Sequence, residues 1–267
     1  MKKQIIYIIG ILLLFSSCSQ YQRLLKSGDN ELMYKRAQEY HEKGDFMRAI
    51  TLLKSVQPHY RGTAEAANIL FLLADSYSNN RDCGTAVNYY TSYIRNFPHG
   101  EHAMESSYMI GYCYHKISPD PKLDQSDTHK GIAAFEAFLE KYPYSERVPE
   151  AERLKLELQE KLAFKELLNA RLYLRLGNFQ GNNYQSAIIV SRNLLNRYPD
   201  TKYREDFAII ILRARFAEAQ RSVAARRADR FRSALEEGEM FLREFPGGKH
   251  RREAERILAD TRRQLEN

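Results

Sequence analysis

Three cysteines, two closely spaced histidines and several carboxylate pairs are the side chains here that could carry covalent, metal or acid–base chemistry. Cys18 follows Phe15-Ser16-Ser17 at the end of an apolar run that begins at Ile5. Cys83 and Cys113 stand apart in the body of the chain, with no Cys-x-x-Cys spacing and no Cys/His cluster to chelate a metal. His99 and His102 give an H-x-x-H spacing beside Pro98, without the glutamate placement of a zinc-protease helix. Glu236 and Glu237 are adjacent on a helical stretch and point apart, whereas acid–base catalysis needs groups that converge on one substrate. No glycine-rich phosphate loop and no G-x-S-x-G elbow occurs. These residues form no catalytic constellation. The chain reads as a binding protein with no metal and no cofactor beyond whatever Cys18 carries.

Lys2 and Lys3, the apolar run Ile5 to Phe15 and the small residues before Cys18 describe a secretory signal over residues 1–17. The run is too short to span a bilayer, which takes ~20 apolar residues. Phe15-Ser16-Ser17-Cys18 also resembles a bacterial lipoprotein signal, in which the thiol takes a diacylglycerol before cleavage. Cys18 would then be the new N-terminus, carrying diacylglycerol and an N-acyl chain, and several acyl chains hold a membrane where one binds only marginally. The alternative is an ordinary cleaved signal with Cys18 incidental. No acidic residue follows among Ser19 to Arg23, so there is no sign of a surface-export tag, and the mature chain is expected to face the periplasm. Residues 18–30 are polar, broken at Gly28-Asp29-Asn30, and read as a lipid-anchored tether.

The net charge is +7, from 41 Lys and Arg against 34 Asp and Glu. The arginine cluster Arg226, Arg227, Arg230 and Arg232 is interleaved with Asp229, Glu236 and Glu237, the mixture of a solvated helix face rather than a nucleic-acid patch. Cys83 and Cys113 either pair in an oxidising compartment or remain two small buried thiols, and the sequence leaves both readings open.

The elements that must position these residues are helical. Between Ile69 and Pro98, apolar residues recur at three- and four-residue steps on both sides of a polar break at Asn79 to Asp82, which predicts two amphipathic helices folded back on each other. Ala37, Ala74 and Gly111 fall 37 residues apart, as do Tyr40, Tyr77 and Tyr114. Second helices end repeatedly in an aromatic residue and proline, at Phe97-Pro98, Tyr142-Pro143, Tyr198-Pro199 and Phe245-Pro246. This pattern resembles the tetratricopeptide repeat. It predicts an all-α solenoid of about five helical hairpins, closed by a polar capping helix from about His250 to Leu265. An insertion at Ser118 to Thr128 is expected as a loop, with Asp127 or Thr128 as the next N-cap. Val148 to Gly177 reads as one long helix or two abutting ones. The predicted halves are 31–146, with the first repeats, and 147–267, with the later repeats and cap.

In stacked hairpins the first helices line the concave side. Positions at i, i+4 and i+7 that could face a groove are Tyr34, Gln38 and His41, then Phe71, Asp75 and Ser78, then Tyr108, Tyr112 and His115. Aromatic and polar residues there could stack on the side chains of an extended peptide and satisfy its backbone. The competing reading packs these rings against the next hairpin.

Leu25 to Asp29, Tyr60-Arg61-Gly62-Thr63, Leu123-Asp124-Gln125-Ser126-Asp127-Thr128 and Tyr198 to Glu205 resemble the BamD family in its Bacteroidetes form. These are lipoproteins of the outer-membrane β-barrel assembly machinery. The resemblance implies a non-enzymatic scaffold on the inner leaflet of the outer membrane. Its N-terminal repeats would recognise unfolded outer-membrane barrel proteins, and its C-terminal repeats would dock on the barrel-forming subunit, BamA. Tyr60 matches a family tyrosine near the implied substrate groove. The family arginine implied in BamA docking aligns with Val190, and Arg192, Arg197 and Arg204 are the nearby arginines that could take the role. A different periplasmic repeat scaffold, serving envelope constriction as the Tol–Pal-associated protein does, is the alternative. That family usually carries an N-terminal coiled coil, which this chain lacks.

Overall fold

The computed structural model describes residues 20–266, so the signal residues 1–17 and Cys18 lie outside the described residues. Every regular element among the described residues is an α-helix. In chain order they are α1 (Asn30–Glu42), α2 (Phe46–Val56), α3 (Glu65–Asn79), α4 (Cys83–Asn96), α5 (Ala103–Ile117), α6 (Ser126–Lys141) and α7 (Val148–Leu176). There follow α8 (Asn183–Arg197), α9 (Arg204–Gln220), α10 (Ala224–Glu244) and α11 (Arg251–Glu266).

The hairpin turns share one local device. A residue in the left-handed region reverses the chain, and an Asp or Asn directly after it caps the second helix. Gly44 (φ 77°) precedes Asp45, whose carboxylate accepts from the Arg48 N–H; Arg81 (φ 65°) precedes Asp82, which accepts from Thr85; Gly181 precedes Asn182, which accepts from Gln185. Glycine adopts that backbone freely, whereas Arg81 carries a Cβ penalty there. The second helices stop at Phe97, Tyr198 and Phe245, each followed by a proline that cannot extend the backbone ladder.

The chain divides into two compact units. The first comprises the residues up to Ser118 together with Ser126–Lys155. Its hairpins α1/α2, α3/α4 and α5/α6 bury the small residues Ala37, Ala74 and Gly111. One core cluster holds Met33, Leu52, Leu53, Val56, Ile69 and Leu73; another holds Cys83, Ala86, Val87, Tyr90 and Cys113. The second unit comprises Pro119–Gln125 and everything from Leu156 onward. Leu167, Ala170, Ile188, Phe207, Ile210 and Ile211 fill one of its cores, and Ile209, Leu212, Phe241 and Ala254 another. Cap α11 buries Ala254, Leu258 and Thr261 and turns its arginines outward.

Within the expected tether, residues 20–27 are helical, and Tyr21, Leu24 and Leu25 pack on the first core cluster, because their spacing puts three apolar side chains on one helical face. The two compact units divide inside the continuous helix α7, between Lys155 and Leu156, whereas the sequence reading divides the halves at 146/147. The insertion loop 119–125 belongs with the second unit, where Lys165 Nζ donates to the Leu123 carbonyl at 2.8 Å. Helix α6 starts at Ser126, which leaves Thr128 inside its first turn, buried and 2.7 Å from Ser118 Oγ, rather than at the cap.

Candidate functional site

In the first unit, helices α3, α4 and α5 and the start of α7 enclose a cavity of about 730 Å³. Its wall carries Asp75 and Ser78 from α3, Tyr108, Tyr112 and Lys116 from α5, and Arg147 and Glu150 at the start of α7. Arg81 and Cys83 reach it from the left-handed turn and the first residue of α4. The lining mixes aromatic rings with both signs of charge. Such a surface can stack on rings, hydrogen-bond a peptide backbone and discriminate by charge.

The charges are organised by hydrogen bonds. Arg147 donates through Nη2 to Glu105 Oε1 at 2.8 Å and through Nη1 to Glu150 Oε2 at 3.4 Å, and its guanidinium lies 4.9 Å from the centre of the Tyr108 ring. Its hydrogen bonds to the Glu105 carboxylate hold the arginine firmly protonated. Burial, with Glu150 next, pushes the Tyr108 phenol upward, so it acts as a neutral donor. Asp75 is shared: His41 Nε2 lies 2.7 Å from Oδ2, Asn79 Nδ2 donates to the same oxygen at 2.8 Å, and the Tyr90 hydroxyl approaches Oδ1 at 3.4 Å. Burial and the nearby Asp75 both hold the Tyr90 phenol neutral.

The structure brings Asp75, Ser78, Tyr108 and Tyr112 together in this cavity and leaves Tyr34, Gln38, Tyr60 and Phe71 outside its lining. Tyr34 and Tyr60 form their own pair, ring centres 5.4 Å apart, with Asn68 Nδ2 donating to the Tyr34 hydroxyl at 2.7 Å. Phe71 stacks on His102 at 3.9 Å and packs against Tyr93. Gln38 is half-buried on α1, away from the cavity lining. Tyr108 is only 2% exposed, its ring covered by Phe138 and the Arg147 guanidinium. Tyr112 is half-buried and takes a Lys116 ammonium over its face at 5.0 Å. Sequence reasoning missed Arg81, Arg147 and Glu150, which come from outside the helical faces it read, and also Glu105 and Lys116, which sit at helical spacing from Tyr108 and Tyr112 on α5 and were within its reach.

In the second unit the three arginines are half-exposed and engaged. Arg192 Nη2 pairs with Glu237 Oε2 at 2.7 Å, across α8 and α10. Arg204 pairs with Glu244 and donates to the Pro199 carbonyl at 2.7 Å. Arg197 lies over the Tyr198 ring at 5.5 Å. A separate, largely apolar cavity of about 570 Å³ is lined by Pro121, Leu156, Phe164 and Tyr203, with Lys161 at its side. The Phe164 and Tyr203 rings stand 5.5 Å apart there. No signal in the linear sequence pairs Pro121 with Tyr203.

Residues 26–218 match the model of the family YfiO, described as "Outer membrane lipoprotein". The "Outer membrane protein assembly factor BamD" of Caulobacter vibrioides is 23% identical over 148 residues, 55% of this chain and 48% of that protein. An Aquifex aeolicus protein provisionally named for the same factor is 25% identical over 192 residues, 69% of this chain and 60% of that protein. The chain thus spans about half to three-fifths of the length of these curated relatives. Among solved structures, the TPR2AB-domain:pHSP90 complex of yeast Sti1 aligns with a TM-score of 0.40, at 15% identity, over 87% of this chain and 98% of that one. A tetratricopeptide repeat protein from Parabacteroides merdae aligns with a TM-score of 0.37, at 13% identity, over 87% and 98%. Among the described residues no helix is long and apolar enough to cross a membrane.

Proposed function

We propose that this chain, which belongs to the YfiO family of outer membrane lipoproteins and is BamD-like, is a non-enzymatic scaffold of outer-membrane β-barrel assembly. Family membership carries this reading. Cys18 would be the lipid-bearing residue that anchors the chain at the periplasmic face of the outer membrane. Unfolded outer-membrane barrel proteins would be bound by the first unit and a BamA-like barrel subunit by the second.

Two features support the division of labour. The cavity in the first unit presents the half-buried Tyr112 ring beside Lys116 and Arg147, a combination that takes aromatic and acidic groups of an extended chain. Tyr34, Gln38, Tyr60 and Phe71 would extend that contact along the unit rather than share the cavity. In the second unit, Arg192, Arg197 and Arg204 keep their guanidinium groups partly in solvent, where a partner carboxylate can compete with Glu237 and Glu244.

The test is affinity purification of the tagged full-length lipoprotein from detergent-solubilised outer membranes, with mass spectrometry of what accompanies it. Recovery of a BamA-like barrel in comparable amounts is expected. Enrichment of cell-wall or division proteins without that barrel would overturn the proposal.

A further inference from the structure

Cys83 and Cys113 belong to one buried cluster, although 30 residues separate them in sequence. Cys83 opens α4, directly after the strained turn at Arg81 and the capping Asp82, and its side chain lines the cavity of the first unit. Cys113 lies on α5 in the same cluster, fully buried and 3.5 Å from Ser78 Oγ. A disulfide between them would bring the two sulfurs of this cluster to about 2.05 Å. We propose that Cys83 and Cys113 form a dithiol site at the floor of this cavity, which low-molecular-weight disulfides oxidise to an intramolecular disulfide joining the second hairpin to the third.

The order of events follows from access. An incoming disulfide such as oxidised glutathione reaches the sulfur that lines the cavity, Cys83, before the sulfur behind it. The Cys83 thiolate attacks one glutathione sulfur, forming a mixed disulfide and releasing one glutathione thiolate. Cys113 then gives up its proton and attacks the Cys83 sulfur, displacing the second glutathione. Two protein thiols lose two electrons in all, one glutathione disulfide is reduced to two thiols, and the protein protons end on those thiols. Burial, with Cys83 alongside, pushes the Cys113 thiol up to about 12, and its full burial leaves the neighbouring sulfur, rather than outside reagents, within its reach. Closure draws Cys113 away from Ser78 and fixes the turn that carries Arg81, so the cavity wall stiffens.

The experiment uses the purified full-length protein equilibrated with reduced and oxidised glutathione, acid-quenched, alkylated and digested with trypsin. Cleavage after Arg81, Arg95 and Lys116 separates the two cysteines, so a disulfide links peptide 82–95 to peptide 96–116 and leaves any Cys18 thiol out of the count. The expected result is that linked pair as the main oxidised product, with Tm several degrees higher than after reduction. In Cys83→Ser both the link and the reductant-dependent Tm shift disappear. A stable glutathione adduct on Cys83, two alkylated thiols after prolonged oxidation, or a reductant-dependent Tm shift that survives in Cys83→Ser would each overturn the proposal. None of these outcomes depends on which partners the chain has.

Discussion

Gly111 lies directly beneath the ring of Phe135: a Cβ built on it would come within 2.7 Å of two ring carbons. It stands 37 residues after Ala74 and in the same role, but α6 presents a fully buried phenyl ring where a smaller neighbour would have admitted a methyl group. Gly111→Ala gains about 1 kcal/mol of helix propensity. It loses about 1–3 kcal/mol to overpacking, because the enclosed ring has nowhere to go. A fall in Tm by thermal circular dichroism is expected; an increase would mean that Phe135 can yield.

The cavity tyrosines should separate binding from stability. Tyr112 is half-buried beside Lys116, so Tyr112→Ala is expected to weaken binding of peptides ending in an aromatic barrel strand while Tm shifts little. Tyr108 is packed between Phe138 and Arg147, so Tyr108→Ala opens a void and should cost about 3–5 kcal/mol, of the order measured for large aromatic truncations. Equal affinity in wild type and Tyr112→Ala would remove the cavity as a peptide site.

Arg81 occupies a left-handed backbone position that L-residues pay about 1 kcal/mol to adopt. Arg81→Gly should therefore raise the urea midpoint slightly or leave it unchanged, despite removing a long side chain. A marked destabilisation would show that the arginine makes contacts worth more than the strain it bears.

Acid should loosen the second unit through Asp206. Burial disfavours its ionisation, but Lys249 at 2.6 Å, with Arg171 and His250, outweighs that and holds the carboxyl below its ordinary value. A depressed carboxylate contributes stability above the unfolded value of about 4, lost as pH falls through the folded one. In Asp206→Asn the decline of Tm below about pH 4 should be shallower than in wild type, and Tm at neutral pH lower. Parallel Tm–pH curves for the two proteins would contradict this.

Arg192 and Arg204 offer the contrast between stability and docking. Half-exposed ion pairs contribute about 0–1 kcal/mol, so Arg192→Ala and Arg204→Ala should leave Tm almost unchanged. Their effect is expected in the pull-down, as reduced recovery of the barrel partner. Full recovery with both variants would move the docking surface elsewhere, and the apolar cavity around Leu156, Phe164 and Tyr203 would be the next surface to test.

Local periodicity and punctuation in the sequence were enough to define the helices. Proline after Phe97, Tyr198 and Phe245, aspartate or asparagine after the turns, and small residues every 37 positions are constraints on a single helix or its neighbour, and each was legible without a structure. The same short-range logic found Asp75, Tyr108 and Tyr112, because they share a face of their own helices. What it could not reach was anything decided between hairpins. Whether Tyr108 meets solvent or Phe138, whether Phe71 faces a ligand or His102, and whether residues 20–27 trail or dock are set by which surfaces meet when apolar area leaves water. The clustering of Cys83 with Cys113, the placement of Arg147 over Tyr108 and the meeting of Pro121 and Tyr203 in one cavity lining arise only there, from residues with no periodic relation in the chain. Sequence alone determined the repeating unit; tertiary packing decided which of its side chains remained available to a partner.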